Sequence, residues 1–305
     1  MTINPVLRRL GLSPDERAVI IHADDLGMCQ ATLAGLEELL GAGVVSSGSV
    51  MVPCPWFRAA ARFAAGHPRA DLGVHLTLTS EWKLYRWGPV STADPASGLL
   101  DAEGCFPATA RAVQQTGDPV AAAREIEAQV ARAVDAGIVP THADTHMGAV
   151  AHARFMESYV NTALRHGFPP MLPRLDEEGW RALSRDHAGG GLDDDAIGRA
   201  IALTRSLEER GVPLLDAVSG LSLSSDPALR MEEAKAALAA LKPGVTHFVI
   251  HPARDTPELR AITPDWACRA ADDATFAKPE LKDFIRRQGI HVIGYRELKE
   301  SMQSA

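Results

Sequence analysis

A chain of 305 residues, 46% of them hydrophobic and 23% charged, is long enough to bury a substantial core. The formal net charge is −8, and the Lys and Arg residues are scattered rather than clustered, which argues against a nucleic-acid partner. No stretch of about 18 residues is apolar and uncharged throughout, as a membrane-spanning helix would be. The first residues also lack the apolar stretch of a signal peptide. We therefore expect a cytoplasmic protein without a membrane-spanning segment.

Short apolar or β-branched runs alternate with longer segments of helical periodicity, which is typical of βα units around a parallel sheet. The predicted strands span residues 18–22, 45–52, 72–78, 141–145, 214–218, 246–251 and 291–294. The clearest predicted helices span residues 31–40, 120–136, 152–165, 194–210, 227–241 and 279–288.

This alternation predicts an α/β fold, an irregular (β/α) barrel of about seven parallel strands with long loops at its C-terminal rim. An open doubly wound sheet would leave the same pattern, but no glycine-rich phosphate loop follows the first strand. Residues 80–119 and 172–192 interrupt the repeat, and we interpret both as long loops, the second containing Gly189, Gly190 and Gly191. No shift of composition marks a linker, so we expect residues 1–305 to form one domain.

Two adjacent carboxylates, Asp24 and Asp25, follow the first predicted strand in the segment AVIIHADDLG. Catalytic groups of βα barrels collect at the carboxyl ends of the strands. Because adjacent residues leaving a strand point in different directions, one carboxylate can hold a metal ion while the other faces a substrate water. A turn or a helix cap explains this pair equally well when it is considered alone.

Histidines lie in or at the end of three further predicted strands. His75 interrupts an apolar run, His142, Asp144 and His146 recur at period two on one strand face, and His251 ends its strand. A structural core histidine is the alternative for His75, and a loop histidine is the alternative for His251. A parallel barrel would bring these strand ends to one rim, so their joint occurrence favours a divalent-metal site of one Asp and two His.

The motifs that carry these residues resemble the YdjC-like carbohydrate deacetylase family, which includes the chitooligosaccharide deacetylases and hopanoid-associated relatives. HADDLG is similar to the family's NADDFG, GVHLTLT to its GxHxxLT, and THADTHMG to its THxDSHHH, in the same order along the chain. The resemblance implies an irregular (β/α) barrel that removes an acetyl group from an N-acetylated amino sugar or a related carbohydrate.

Carried over by position, the resemblance implies that Asp25, His75 and His146 bind one divalent ion, Mg²⁺ or Zn²⁺. Asp24 would take a proton from the attacking water, and the division of roles within the Asp pair stays open. His251 would either protonate the leaving amine or orient the oxyanion. Asp144 would orient a ligand imidazole.

Two motifs depart from the family pattern, at three positions. His22 stands where the family has Asn, and Met147 and Gly148 follow the predicted ligand His146 where the family has histidines. Neither change removes a predicted metal ligand, but both leave the identity of the sugar open.

Three aromatic residues, Trp82, Tyr85 and Trp87, fall within the first predicted long loop. We interpret them as candidate substrate contacts, because aromatic faces pack against the apolar faces of sugars. Packing of the loop onto the barrel is the alternative.

Two other functions remain compatible with these residues. One is a metal-dependent hydrolase of another amide, an ester or a phosphoester, and the other is a non-catalytic carbohydrate-binding relative. The presence of both carboxylates, both ligand-type histidines and His251 argues against the second. A small carbohydrate is the expected partner, and an assembly of identical chains is left open.

Overall fold

The computed structural model describes residues 3–186 and 193–303, so Gly189, Gly190 and Gly191 lie outside the described residues. Within these two ranges the strands are β1 (Arg17–Leu26), β2 (Ser47–Val50), β3 (Leu72–Leu76), β4 (Ala143–Thr145), β5 (Ala217–Gly220), β6 (Gly244–Ile250) and β7 (Ile290–Val292). The α-helices are α1 (Pro5–Arg9), α2 (Leu36–Gly41), α3 (Phe57–Gly66), α4 (Ala110–Thr116), α5 (Pro119–Asp135), α6 (Met156–Arg165), α7 (Glu177–Asp186), α8 (Asp194–Glu209), α9 (Arg230–Ala239), α10 (Pro257–Ile262), α11 (Trp266–Phe276), α12 (Pro279–Arg287) and α13 (Tyr295–Gln303). None of the described helices is both long and apolar enough to cross a bilayer.

The strands form one parallel sheet in the order β4-β3-β2-β1-β6-β5, with β7 paired to the first residues of β1. A segment without regular strand structure connects the two edges of this curled sheet. In it Pro170 bridges to Ala143 of β4, and Pro173 bridges to Leu215, which precedes β5. The prediction of an irregular α/β barrel is therefore confirmed.

The interior of the barrel can be followed along β1, because side chains of a strand alternate between its two faces. Val19, Ile21 and Ala23 belong to the large apolar core, which includes buried residues of the surrounding helices. Ala18 and Ile20 face the other way, into a smaller apolar cluster with Tyr295 and Leu298 of α13. His22 and Asp24 continue this inner face, so the interior becomes polar toward the carboxyl ends of the strands.

Every predicted strand overlaps an observed one, and three predicted helices match α5, α8 and α12 to within one residue at each end. The predicted helix at residues 31–40 is divided, because a short 3₁₀ turn precedes α2. The prediction of a loop at residues 172–192 is wrong for its middle part, which forms α7. This helix is largely polar, but Trp180 anchors it in the core and is only 4% exposed.

The first predicted loop, residues 80–119, is mostly irregular but includes a 3₁₀ turn at Pro95–Ser97 and the short helix α4. It leaves the barrel after β3, whose carboxyl end lies beside that of β2. The loop therefore begins at the rim where the polar interior opens.

Candidate active site

A β-bulge at the end of β1 positions the two adjacent carboxylates. Ala23 pairs with Gly48 of β2 and Leu26 pairs with Val50, so β1 has one more residue than β2 between these pairs. Asp25 lies in this bulge with a left-handed backbone (φ 63°). A bulge re-aims side chains, and Asp tolerates the left-handed region better than most residues. Asp24 and Asp25 are consequently both buried at the rim, with different neighbours.

Three atoms from separate strand ends converge beside the bulge. Asp25 Oδ1 lies 3.4 Å from His75 Nε2 and 3.2 Å from His146 Nδ1. The two imidazole nitrogens are 3.3 Å apart. Ligand atoms bound to one ion at about 2.1 Å lie about 3.0 to 3.4 Å apart in octahedral or tetrahedral coordination. The triangle of predicted ligands therefore has the dimensions that a divalent cation requires.

The far nitrogen of each imidazole faces a carboxylate. His75 Nδ1 lies 2.9 Å from Asp144 Oδ1, and His146 Nε2 lies 3.2 Å from Glu81 Oε2. Protons held on these far nitrogens leave the lone pairs of His75 Nε2 and His146 Nδ1 directed at each other and at Asp25 Oδ1. Three buried atoms arranged in this way are compatible with a cation between them.

The electrostatics of this triangle favour positive charge. Burial alone would lower the pKa of His146, but Glu81 and Asp25 raise it to about 9. Burial likewise opposes the charge of His75, yet Asp144 and then Asp24 raise its pKa well above the usual value. A metal ion that displaces these protons would supply the same charge.

The second carboxylate oxygen of Asp25 forms an ion pair that fixes its position. Arg269 Nη1 donates to Asp25 Oδ2 at 2.7 Å. Burial raises the pKa of Asp25, but the Arg269 guanidinium together with His146 and His75 outweighs burial and holds this pKa well below the usual range. Asp25 Oδ1, by contrast, is buried without a hydrogen-bond partner among the described residues. An unpaired buried carboxylate oxygen is costly, which supports a cation at this point.

Asp24, the other carboxylate, lies beside the triangle rather than in it. Its Oδ2 is 3.8 Å from both His75 Nε2 and His251 Nε2, and its Oδ1 is 3.4 Å from His22 Nε2. Burial raises the pKa of Asp24 to about 6. Such a carboxylate is ionised at neutral pH and basic enough to accept a proton.

His251 faces Asp24 from the end of β6, and its side chain is 21% exposed. Burial lowers the pKa of His251 to about 3. The backbone N–H of His251 donates to Asp272 Oδ2 at 3.0 Å. His251 therefore presents a neutral imidazole to the site from a fixed backbone.

A second group of potential ligands, His22, Asp24, Asp144 and His247, lies deeper in the barrel. Asp144 Oδ2 accepts a hydrogen bond from Ser49 Oγ at 2.8 Å and lies 3.0 Å from His22 Nε2. These contacts satisfy Asp144 without an ion, whereas Asp24 Oδ1 and His22 Nδ1 are buried without a hydrogen-bond partner among the described residues.

Helix α11, which the sequence analysis missed, supports two of the site residues. Its Arg269 holds Asp25 and also donates from Nε to Asp265 Oδ1 at 2.7 Å. Its Asp272 accepts from the backbone of His251 and pairs with the buried Arg230, whose Nε is 2.8 Å from Asp272 Oδ1. The sequence signal that could have revealed α11 is the spacing of its charged residues, three and four apart among otherwise apolar residues.

The three aromatic residues differ in exposure. Trp87 is 4% exposed, and its Nε1 donates to the carbonyl of Thr79 at 2.8 Å. Trp87 therefore packs the loop onto the barrel, as the alternative interpretation expected. Tyr85 donates from its hydroxyl to the carbonyl of Met28 at 2.7 Å. Trp82 and Tyr85 are only half-buried, and substrate contact by the aromatic residues stays a prediction.

Comparison with known proteins places the chain among related sequences. A model of the YdjC-like protein family matches residues 18–287. A carbohydrate deacetylase of Thermus thermophilus is 32% identical over 297 residues, which are 97% of this chain and 99% of that protein. A carbohydrate deacetylase of Thermoanaerobacter pseudethanolicus is 23% identical over 281 residues, which are 92% of this chain and 99% of that protein.

A solved structure shares the fold. It is a protein of Enterococcus faecalis V583 described as a cellobiose-phosphate cleavage protein, with a TM-score of 0.72 and 20% sequence identity. The match covers 93% of this chain and 99% of that chain. At this identity the likeness concerns the fold alone.

Proposed function

Because the chain belongs to the YdjC-like family, we propose that it is a metal-dependent hydrolase that removes an acetyl group from an N-acetylated amino sugar or a related carbohydrate. Two carbohydrate deacetylases that match over nearly their full lengths support the deacetylase class. The observation that carries the proposal is the convergence of Asp25 Oδ1, His75 Nε2 and His146 Nδ1 within 3.2 to 3.4 Å of one another.

Asp25, His75 and His146 are the residues that would hold one divalent ion, Mg²⁺ or Zn²⁺. When bound, such an ion polarises the amide carbonyl and makes a water more acidic. Carboxylate and imidazole ligands accept either metal, so the donor set leaves the choice between them to affinity and availability.

The protons are managed by the residues around the triangle. Asp24, next to the triangle, accepts a proton from the water that attacks the acetyl carbonyl. His251 Nε2 lies 3.8 Å from Asp24 Oδ2, and its N–H donates to the oxyanion or to the nitrogen of the leaving amine. As the C–N bond breaks, the proton that Asp24 took from the water passes to this nitrogen, directly or through His251. The products are acetate and a free amino sugar. Asp144 and Arg269 hold His75 and Asp25 in place throughout.

An acetate-release assay tests this function. Purified protein is incubated with N-acetylated amino sugars and, in parallel, with aryl esters and phosphoesters, with and without a chelator. We expect acetate from the amino sugars, loss of activity with the chelator, and recovery when Mg²⁺ or Zn²⁺ is restored. His75→Ala should lose both ion and activity, whereas His291→Ala, which alters an exposed histidine on β7, should keep both.

Turnover of esters or phosphoesters alone would favour the other hydrolase class. Sugar binding without turnover, unaffected by His75→Ala, would favour a non-catalytic binding protein. Either result would contradict the deacetylase proposal.

A further inference from the structure

We propose that Glu81 is a positioning residue that fixes His146 for the metal ion and couples the loop after β3 to that ion. The inference rests on the proposed function, because it needs an ion at Asp25, His75 and His146. It adds a residue that neither the motifs nor the comparisons with known proteins assign. We define the aromatic loop as residues 80–87, the segment in which Glu81 lies.

The contact between Glu81 and His146 orients the imidazole. Glu81 Oε2 lies 3.2 Å from His146 Nε2, while His146 Nδ1 faces Asp25 Oδ1 at 3.2 Å. A carboxylate at Nε2 keeps the proton on that nitrogen and leaves the Nδ1 lone pair for the ion. Without Glu81 the ring is free to turn and to change tautomer, so part of the metal affinity is lost.

The two imidazoles of the triangle are supported in different ways. His75 is held by Asp144, a β4 residue that is 1% exposed and also accepts from Ser49. Glu81 belongs to a loop, and its side chain is 19% exposed. One support is therefore part of the sheet, whereas the other depends on the conformation of the aromatic loop.

The aromatic loop is anchored on both sides of the site. The backbone N–H of Trp87 donates to Ser80 Oγ at 3.1 Å, which closes the loop around Glu81. Tyr85 reaches the carbonyl of Met28, just beyond the β1 bulge. Ordering of His146 by an ion therefore favours the loop conformation that places Glu81 at its Nε2. By linkage, the same loop conformation favours ion binding.

Direct ligation of the ion is the competing role for Glu81. In the structure Glu81 Oε2 approaches the nitrogen of His146 that points away from the triangle, so it faces the wrong side of the ring for ligation. A Gln side chain separates the two roles. Its amide oxygen still accepts from Nε2–H, but it is a much weaker ligand than a carboxylate.

The test is calorimetric titration of metal-free full-length protein with Zn²⁺, comparing Glu81→Ala and Glu81→Gln with the parent chain. We expect Glu81→Ala to lose about 10- to 100-fold in affinity and Glu81→Gln to lose less than about tenfold. Glu103→Ala is the matched control, because Glu103 lies in the same long connection but is 71% exposed beside Arg86. Its affinity should equal that of the parent.

Hydrogen exchange in the aromatic loop gives a second readout that a purely local packing defect would not move. Zn²⁺ should slow exchange across residues 80–87 in the parent and in Glu81→Gln, but not in Glu81→Ala. Circular dichroism of the metal-free variants checks that they fold. If Glu81→Ala fails to fold, Glu81→Asp, which shortens the reach by one methylene, is judged by the same criteria.

The outcomes separate the two proposals. Parent-like Zn²⁺ affinity in Glu81→Ala, with loss of binding in His146→Ala, would overturn the role of Glu81 and leave the proposed function standing. A fall in Glu81→Gln as large as in Glu81→Ala would instead assign Glu81 as a ligand and overturn its positioning role. If the parent binds neither Zn²⁺ nor Mg²⁺, or if His146→Ala binds the ion equally well, both proposals fail.

Discussion

Two residues at the rim adopt a backbone conformation that side chains usually avoid. Among the residues that the structure describes, Asp25 (φ 63°) and Met147 (φ 52°) are the non-glycine residues with positive φ. Asp25 is a predicted ligand, and Met147 directly follows another. Such strain costs about 1 to 3 kcal/mol and persists where the surroundings enforce it. The strained residues lie at one corner of the triangle and next to another. This placement indicates that the fold gives up stability to orient the predicted ligand side chains.

The charges around the triangle are buried and therefore strongly coupled. Asp25 is paired with Arg269 on one oxygen and faces two imidazoles with the other. Asp24, one residue earlier, has no cationic Arg or Lys partner among the described ion pairs. This difference supports the proposed division of roles, in which Asp25 holds the ion and Asp24 accepts the proton.

Asp24→Asn should therefore separate catalysis from ion binding. The amide keeps the size of the side chain but cannot accept the proton of the water, so kcat should fall by about 100- to 10,000-fold. The affinity for Zn²⁺ should change by less than about tenfold, because Asp24 lies outside the triangle. Acetate release and calorimetric titration measure the two effects.

Asp25→Asn is the matched comparison for that experiment, since it makes the same substitution on the adjacent residue. It should lose the ion as well as activity. Loss of Zn²⁺ binding in Asp24→Asn, with retention in Asp25→Asn, would show that the two roles are reversed.

The bulge in β1 is the element that separates the two carboxylates. It requires Gly48 on the neighbouring strand, because a Cβ there would lie 2.7 Å from Leu26 Cδ1 and 3.0 Å from the carbonyl oxygen of Ala23. Both contacts involve residues that flank the bulge. The close approach of β2 thus depends on a glycine, and the carboxylates depend on that approach.

Gly48→Ala should destabilise the protein by about 1 to 3 kcal/mol, the usual cost of inserting a methyl group into a packed site. It should also weaken Zn²⁺ binding, because β1 must shift at the residues before Asp25. Urea unfolding and calorimetric titration measure the two consequences.

Gly66→Ala, at the end of α3, is the control for this substitution. Apart from its chain neighbours and the backbone of its own helix, no atom of the described residues lies within 4 Å of the added Cβ. The free energy of unfolding should therefore stay within about 1 kcal/mol of the parent value. Equal effects of the two substitutions would refute the packing argument at Gly48.

The barrel as a whole encloses a layer of buried histidines beneath the site. His142 stacks on Tyr295 with ring centroids 3.8 Å apart, and its Nδ1 lies 3.0 Å from Thr141 Oγ1. Burial, and next the neighbouring His22, lowers the pKa of His142 well below its usual value of 6.5. Burial also lowers the pKa of His247. The interior of the barrel thus favours the neutral form of His142 and His247.

This layer predicts a specific loss of stability in acid. Below pH 6.5 His142 takes up a proton in the unfolded chain but not in the folded one, so acid favours unfolding. Its contribution is complete above pH 6.5 and is lost as the pH falls toward the lower pKa of the folded state. The slope is at most about 1.4 kcal/mol per pH unit for one histidine.

His142→Phe removes this proton while keeping a ring on Tyr295. The difference in unfolding free energy between parent and variant should shrink or reverse as the pH falls from 6.5 to 5, by up to about 2 kcal/mol. Urea unfolding of metal-free protein at several pH values measures it, and the parent serves as the control. A difference that is constant with pH would mean that His142 is not kept neutral by the fold.

Local periodicity determined the strands and with them the position of the site. The alternation of apolar residues predicted all seven strands, and the polar residues at their ends, Asp25, His75 and His146, were visible as interruptions of that pattern. The structure brings these three together, while their binding of an ion stays a prediction. Strand ends were predictable because neighbouring residues encode them.

Glu81, Arg269 and Asp272 were missed because their roles arise from contacts between distant parts of the chain. Arg269 is 244 residues from Asp25, and Glu81 is 65 residues from His146. Helix α7 was missed because Trp180 anchors a largely polar helix through packing that local periodicity does not show.

By itself the sequence determined the α/β class, the order of the strands along the chain and the residues that end them. Only the tertiary structure decided how the sheet closes, since the segment at residues 169–174 has no strand pattern and bridges the edges through isolated pairs. It also decided which carboxylate faces each imidazole. Secondary structure follows from interactions between near neighbours, whereas closure and charge pairing depend on long-range packing that places remote residues side by side.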